Sequence, residues 1–439
     1  QVYPGQMDST FVPVRSHHYD PELTFDFCVN EPAWSNQAGI HSAFGSTDRL
    51  YFRKEVPVNH DNDLSSSYST TVWRGERANA QILVWSSEAL EQVRVSTQDL
   101  RSAEGNIIPK DRITFELVRY VLSNYPYAEK KAICGESPYK SGFLMPDRFE
   151  TLDRFDLPSQ TTRPVWMMVD VPRGTVPGTY KGQVEVRAKG KAPQLLNLEI
   201  VVQNQLLPYP KDWKYRLDLW QNPWAVAWYN HVEPWSPEHK MLLKQHLKHY
   251  ADAGGTYITT YGVHSPWSDN SYMIEGGMIE WIKKADGTWA FDYKIFDEYV
   301  ELAMECGIDE AITLYTPIPW GFRHRYKGDY SYINWAPSSE EFKKMWNIFL
   351  TDFKFHLEAK SWLDITYIGI NENPMEETLA AINVVRNHDK CWKITYAGNW
   401  HKELDGLLDD YSFLYGEEPT IAEQKARAAT GRTSTVYVC

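Results

Sequence analysis

The chain has 439 residues, and 45 Lys and Arg against 58 Asp and Glu leave a formal net charge of −13 at pH 7. That balance argues against a polyanion-binding protein, because phosphate contacts need clustered positive charge. Charged residues make up 23% and hydrophobic residues 43%, which suits a large core and excludes a disordered acidic tail.

No run approaches the roughly 18 apolar residues of a membrane helix, so no membrane span is expected. Five cysteines, Cys28, Cys134, Cys306, Cys391 and Cys439, are widely spaced with no CxxC. They suggest neither a disulfide framework nor a zinc site. A prior of about 100–200 residues per domain gives two or three domains.

Up to about residue 205 the chain reads as short strands, at 81–85, 92–96, 165–171, 183–187 and 195–202. Several alternate apolar with polar residues, Pro177-Gly178 and Gly190 punctuate them, and no amphipathic helix intervenes. The pattern predicts an antiparallel β-sandwich over 1–205. Residues 203–210 read as the linker, because Pro208 and Pro210 stop a strand and hold an extended connection.

From 206 to 439 strands and helices alternate. Strands are predicted at 216–220, 256–261, 311–316, 365–370, 393–397, 411–415 and 435–438. Helical spacing puts Leu243, Leu247 and Tyr250 on one face, then Ile295, Tyr299, Leu302, Ala303 and Cys306, then Phe342, Met345, Trp346, Phe349, Leu350 and Phe353. Such alternation argues for parallel strands, and long loops after the second and third strands favour a (β/α)8 TIM-like barrel with an elaborated top face. Seven strands are legible where a closed barrel needs eight, so the expectation is a barrel incomplete at its C-terminal end, with a shorter open α/β sheet as the alternative.

Of the 18 tryptophans, fourteen follow residue 206. Each buried indole needs a partner for its N–H, whereas a cleft that stacks flat ligands uses the ring face directly, so the local excess reads as a ligand cleft. In a barrel the functional residues come from the C-terminal strand ends. Asn371 and Glu372 sit at the tip of the fourth strand, where Pro374 prevents continuation, and an acid beside a hydrogen-bonding neighbour suits a general acid. The bland alternative has Glu372 capping the next helix, and Glu376 and Glu377 read as first-turn acids.

The other strand ends carry Asp218, Trp220 and Gln221, then His264 and Trp267, Tyr315 and Trp320, Asn399 and Trp400, and Tyr415. Flat rings with amides and a carboxylate suit a sugar, whose C–H face stacks on aromatics while its hydroxyls bond at the rim. The alternative is that Asp218 braces the barrel and the tryptophans are core. His264 lacks the HxH or HExxH spacing of a metal ligand, so no metal or cofactor is expected.

Several segments resemble glycoside hydrolase family 123. The catalytic domain of that family is suggested by 217–223 (LDLWQNP), Trp235-Ser236, Glu238-His239, 251–254 (ADAG), 286–289 (DGTW), 291–293 (FDY) and 433–438 (TSTVYV). Its preceding β-sandwich is suggested by 73–77 (WRGER), Val171-Pro172 and 177–182 (PGTYKG). The resemblance implies an exo-acting β-N-acetylgalactosaminidase of bacterial, secreted, periplasmic or cell-surface location, acting on glycans with a terminal N-acetylhexosamine.

It further implies substrate assistance, an exception to the two-carboxylate scheme of most glycosidases. The sugar's 2-acetamido oxygen attacks the anomeric carbon, a Glu protonates the leaving oxygen and then activates water, and an adjacent Asp supports the acetamido group. Carried over, Glu372 is the acid/base, while Asn371 stands where the family has Asp. An Asn can accept a hydrogen bond from the acetamide N–H but brings no charge, and glycoside hydrolase family 85 looks to work with an Asn-Glu pair. Family members also continue beyond residue 439, which favours an incomplete barrel over a seven-stranded fold. A non-catalytic glycan-binding homologue, or a glycosidase retuned to another amino sugar or linkage, are the alternatives.

Overall fold

The computed structural model describes residues 31–58, 64–123, 143–267, 276–327 and 332–437. Cys28, Cys134, Cys439 and the predicted strand residue Val438 lie outside the described residues. The described residues divide into two compact units, one up to Pro208 and the other from Tyr209.

The first unit is built from two sheets. One has the spatial order His41–Gly45, Arg77–Ser86, Thr161–Asp170, Ile113–Ser123 and Phe143–Glu150, all antiparallel. The other runs Ser67–Arg74, Gln194–Leu206, Gly178–Arg187, Leu90–Thr97 and Phe155–Leu157. Alternation sends one face of each sheet inward, so Ile82, Val84 and Val165 of the first meet Val184, Leu198 and Ile200 of the second in one core. The expectation of a purely antiparallel module is corrected at one place: Ser67–Arg74 pairs parallel with Gln194–Leu206. The segment at 67–74 (SYSTTVWR) carries polar residues at most positions and is mostly exposed, which is why its period was not legible as a core strand.

The second unit centres on six parallel strands: β1 Tyr257–Tyr261, β2 Ala311–Tyr315, β3 Thr366–Ile370, β4 Lys393–Gly398, β5 Asp410–Leu414 and β6 Thr433–Tyr437, adjacent in chain order. One face is apolar. Ile258, Ile312, Leu314, Ile368, Ile370, Ile394, Tyr411 and Phe413 join a core with helices α1 Pro237–Asp252, α2 Lys294–Glu305, α3 Glu340–Lys360 and α4 Met375–His388. All six residues expected on the face of α3 are buried, as are Leu243, Leu247 and Tyr250 of α1. On α2 the buried stripe is Phe296, Tyr299, Val300 and Ala303, with Cys306 buried just beyond it, while the predicted Ile295 and Leu302 are half-buried. Ser236 and Ser339 accept the backbone N–H groups of His239 and Phe342, closing the first turns of α1 and α3.

A closed eight-stranded barrel is not found among the described residues, where the sheet is open. The expected first strand contributes one bridge, Leu217 to Gly255. The physical reason is that side chains occupy ladder positions on both sides: Gln221 Oε1 accepts from Thr259 N of β1 at 2.8 Å, and Tyr250 Oη donates to Leu217 O of the facing segment at 2.8 Å. Pro223 then starts a short helix, Pro223–Asn230, capped by Asn222.

The tryptophan excess also needs correcting. Trp224, Trp267, Trp281, Trp335, Trp346, Trp362 and Trp392 are core residues, and several have the N–H partners that burial demands. Trp281 donates to Gly262 O at 2.8 Å, Trp346 to His324 Nε2 at 3.1 Å and Trp392 to His388 Nδ1 at 2.9 Å. Half of the fourteen indoles are therefore structural.

The other sheet face is polar and carries Thr259, Thr313, Tyr367, Thr395, Asp410, Thr433 and Thr435 by the same alternation. Gly369 lies on it because the Tyr315 ring crosses the position: a Cβ there would stand 2.8 Å from Tyr315 Cε1 and 3.0 Å from Thr313 Cγ2. We expect Gly369→Ala to cost about 1–3 kcal/mol in chemical denaturation, the usual range for overpacking. An unchanged midpoint would show that the ring has room to move.

Candidate active site

Residues following β2 and β3 form the centre of the site. Asn371 is only 4% exposed, and its Oδ1 accepts from Thr316 Oγ1 at 3.0 Å and from Asn373 Nδ2 at 3.3 Å. Its Nδ2 is buried without a hydrogen-bond partner. The sequence reading has Asn371 offering an acceptor to a ligand N–H; the structure instead engages that oxygen and leaves the donor over. The neighbouring Glu372 is exposed, and its Oε1 accepts from Tyr437 Oη at the end of β6, at 2.7 Å. Burial, and then the charge of Glu372, push the Tyr396 phenol up to about 12, so a neutral hydroxyl stands near the carboxylate.

An aromatic wall adjoins the Asn371 side. Trp220 is 47% exposed and packs on Tyr315 at 4.8 Å between centroids and on Trp267 at 5.6 Å, the latter pair stacked. Tyr315 and Trp267 are buried behind it, 5.4 Å apart. Burial, followed by the charges of Asp218 and Asp410, holds the Tyr315 hydroxyl well above the ordinary phenol range. Since Tyr315 directly precedes Thr316, the wall is tied to the Thr316–Asn371 contact through one peptide unit.

Asp410 lies buried on the polar face, and the exposed Asp218 is near enough to feel its charge. Asp410 opens β5, and its Oδ2 accepts from Thr395 Oγ1 at 3.0 Å, while its Oδ1 is buried without a partner. Burial pushes its pKa up to about 6 despite the Thr395 bond and the charges of Arg216 and Arg427. Asp218 touches solvent, yet desolvation, and then the charge of Asp410, push it up to about 7. The charge of Asp410 thus opposes the ionisation of Asp218.

The remaining predicted residues are placed differently. Gln221 is engaged with backbone, its Oε1 on Thr259 N and its Nε2 on Leu219 O. His264 is clamped: Arg325 Nη1 donates to Nε2 at 2.7 Å, so Nδ1–H donates to Tyr332 Oη at 2.9 Å. Burial, helped by Arg325, lowers its pKa to about 4, so the ring is neutral near pH 7. The Trp400 ring packs on Tyr411 at 5.3 Å and Phe413 at 5.5 Å, on the helix-covered face. Asn399 O accepts from Tyr411 Oη at 2.6 Å, Trp320 N donates to Pro266 O at 2.8 Å, and Tyr415 is 71% exposed. The structure thus brings Trp220, Trp267, Tyr315, Asn371 and Glu372 into one contiguous set. It leaves His264 and Trp400 in contacts of their own.

Sequence reasoning missed Thr316, Asn373, Tyr437 as a partner of Glu372, and Asp410. A signal existed for Asp410, an acid opening an otherwise apolar strand; none marked Thr316 or Asn373. Among the described residues no three His, Cys, Asp or Glu side chains are grouped so as to hold a metal ion, and no described helix is long and apolar enough to cross a membrane.

At Asp218 and Asp410 the raised pKa values mean that the folded chain holds more protons than the unfolded one between about pH 4 and pH 7. The contribution of these groups to stability is complete below about pH 4 and is lost as pH rises through about 6 to 7. Asp410→Asn keeps an acceptor for Thr395 and removes the charge. Its melting temperature, measured across that window, should fall less than that of the wild type; parallel curves would contradict the assignment.

Two family models match the chain, the catalytic domain of glycoside hydrolase 123 over residues 220–439 and the N-terminal domain of glycoside hydrolase 123 over residues 44–188. Among solved structures, a family 123 glycoside hydrolase from Clostridium perfringens, described for glycolipid glycan hydrolysis, is 25% identical with a TM-score of 0.80, over 92% of this chain and 72% of that one. A PapD-like domain of human CEP192 (12% identity, TM-score 0.20, 43% of this chain and 100% of that one) is too distant to bear on it. So is a Bacteroides ovatus GH5 xyloglucanase in complex with a XXXG heptasaccharide (8% identity, TM-score 0.19, 81% of this chain and 72% of that one). No curated protein matches the chain.

Proposed function

Because the chain belongs to glycoside hydrolase family 123, we propose that it releases a terminal β-linked N-acetylhexosamine, N-acetylgalactosamine first among candidates, by substrate-assisted retention. The observation that carries this reading is the exposed Glu372 carboxylate, held by Tyr437 beside the buried amide of Asn371. The C. perfringens relative acts on glycolipid glycans, which makes a glycoconjugate at a cell surface the natural substrate class and an extracytoplasmic location its companion.

In the first step the acetamido carbonyl oxygen attacks the anomeric carbon as the bond to the leaving oxygen breaks, and the Glu372 proton passes to that oxygen. In the second, Glu372 takes a proton from water, water oxygen bonds to the anomeric carbon, and the oxazolinium ring, which has kept its N–H, opens with the original configuration restored. Trp220 supplies the exposed ring face on which the sugar stacks. Asn371 orients the 2-acetamido group. Its missing charge is the specific observation behind a second reading, a glycan-binding homologue with impaired chemistry.

Losing a charge-assisted hydrogen bond is worth on the order of 1.5–3 kcal/mol, or roughly ten- to a hundred-fold in rate. With chromogenic β-N-acetylgalactosaminide and β-N-acetylglucosaminide substrates we expect slow turnover by the wild type, a loss of at least about a hundred-fold in Glu372→Gln, and a gain in Asn371→Asp, whose charged carboxylate accepts from the acetamido N–H where the engaged amide oxygen does not. An unchanged rate in Glu372→Gln would sink the mechanism. Retained sugar binding with no gain in Asn371→Asp would favour the binder. Tyr437→Phe removes one hydrogen bond from Glu372 and should lower kcat about ten-fold with little change in KM.

A further inference from the structure

The hydrogen bonds around Asn371 determine which end of its amide is free. Asn373 Nδ2 lies 3.3 Å from Asn371 O, 3.3 Å from Asn371 Oδ1 and 3.5 Å from Ile318 O. Two of these neighbours are backbone carbonyls, which only accept, so the Asn373 atom among them is its amide nitrogen. A second amide nitrogen facing it at 3.3 Å would set donor against donor, so the Asn371 atom there is the oxygen. Thr316 supports the same assignment. Ile318 N donates to Thr316 Oγ1 at 3.3 Å, which takes an acceptor position of the hydroxyl and leaves its proton for Asn371 Oδ1 at 3.0 Å.

What remains is Nδ2, a buried donor with no partner, on a residue adjacent to Glu372. Buried polar groups are paired in nearly all proteins, and an unpaired one at a site calls for a group that arrives later. Resting on the N-acetylhexosamine reading above, we propose that Thr316 and Asn373 are positioning residues that lock the Asn371 amide with its N–H toward the sugar. The group recognised next to the anomeric carbon is then a hydrogen-bond acceptor, the acetamido carbonyl oxygen, and not the acetamido N–H.

The chemistry of this choice is specific. A carbonyl oxygen has two lone pairs, so one can accept from Asn371 while the other points at the anomeric carbon. A sugar bearing a free 2-ammonium group has only donors at that position and sets donor against donor. The lock therefore selects for an acylated amino sugar over its deacylated counterpart, a selection that an amide free to turn would not impose.

The test is a titration of the full chain with N-acetylgalactosamine and with galactosamine, in the wild type and in the double variant Thr316→Val/Asn373→Ala, which adds no charge and releases the amide. The wild type should bind the N-acetyl sugar at least about ten-fold more tightly, and the variant should narrow that ratio several-fold by gaining affinity for galactosamine. An unchanged ratio, or equal loss of both sugars by a folded variant, overturns the lock. Neutron diffraction on wild-type crystals exchanged into heavy water gives a readout independent of the variant and of any ligand. Deuterium on the Asn371 atom turned away from Thr316 and Asn373 supports the proposal, and deuterium on the atom facing them overturns it. A wild type that binds neither sugar counts against the N-acetylhexosamine reading, and the neutron map then decides the lock on its own.

Discussion

The placement of the Tyr315 ring is the constraint on which the site depends. It ends β2 on the polar face of the sheet and occupies the space that a side chain at 369 would fill. Its ring is the surface behind Trp220 and Trp267. Because Thr316 follows it directly, the position of that ring also fixes where the Thr316 hydroxyl meets Asn371. A glycine in β3 is therefore what allows an aromatic wall and an amide to approach one another at the tips of adjacent strands.

The two faces of the sheet divide the labour. The apolar face, with Ile258, Ile312, Ile368 and Ile394 under four helices, supplies the stability of the unit. The other carries threonines, tyrosines and Asp410, a polar lining that is costly to desolvate and useful only near a ligand or a proton. Glu372 stands at the rim of this lining. It is exposed, whereas Asn371 beside it is sealed from water, so two adjacent residues meet very different environments. That contrast lets a carboxylate exchange protons while a neighbouring amide holds one fixed orientation.

Much of this was legible in the chain because helical period and strand composition report burial directly. Phe342, Met345, Trp346, Phe349, Leu350 and Phe353 share a face by spacing alone, and they share it in the structure. Glu372 was legible for a topological reason, since a strand followed by Asn-Glu-Asn-Pro has nowhere to put those side chains but the sheet's end. What escaped was decided by groups distant in sequence. Gln221 looks like a ligand residue until Thr259 N is seen to occupy it. Trp400 looks like a stacking platform until its ring is found against Tyr411 and Phe413. The direction of the Asn371 amide depends on Thr316, 55 residues away, and on Asn373, and no periodicity encodes that. The first strand was over-read for the same reason, because strand-like composition at 216–220 does not reveal that side chains take its ladder positions.

On the function proposed for this site, Asn371 and Glu372 together address one sugar at the carbon that reacts. A crystal structure with N-acetylgalactosamine bound tests this most directly. It should show the acetamido group within hydrogen-bonding distance of Asn371, the anomeric oxygen within reach of Glu372 and the sugar's C–H face on Trp220. A sugar bound elsewhere, or one whose acetamido group points away from Asn371, would contradict it.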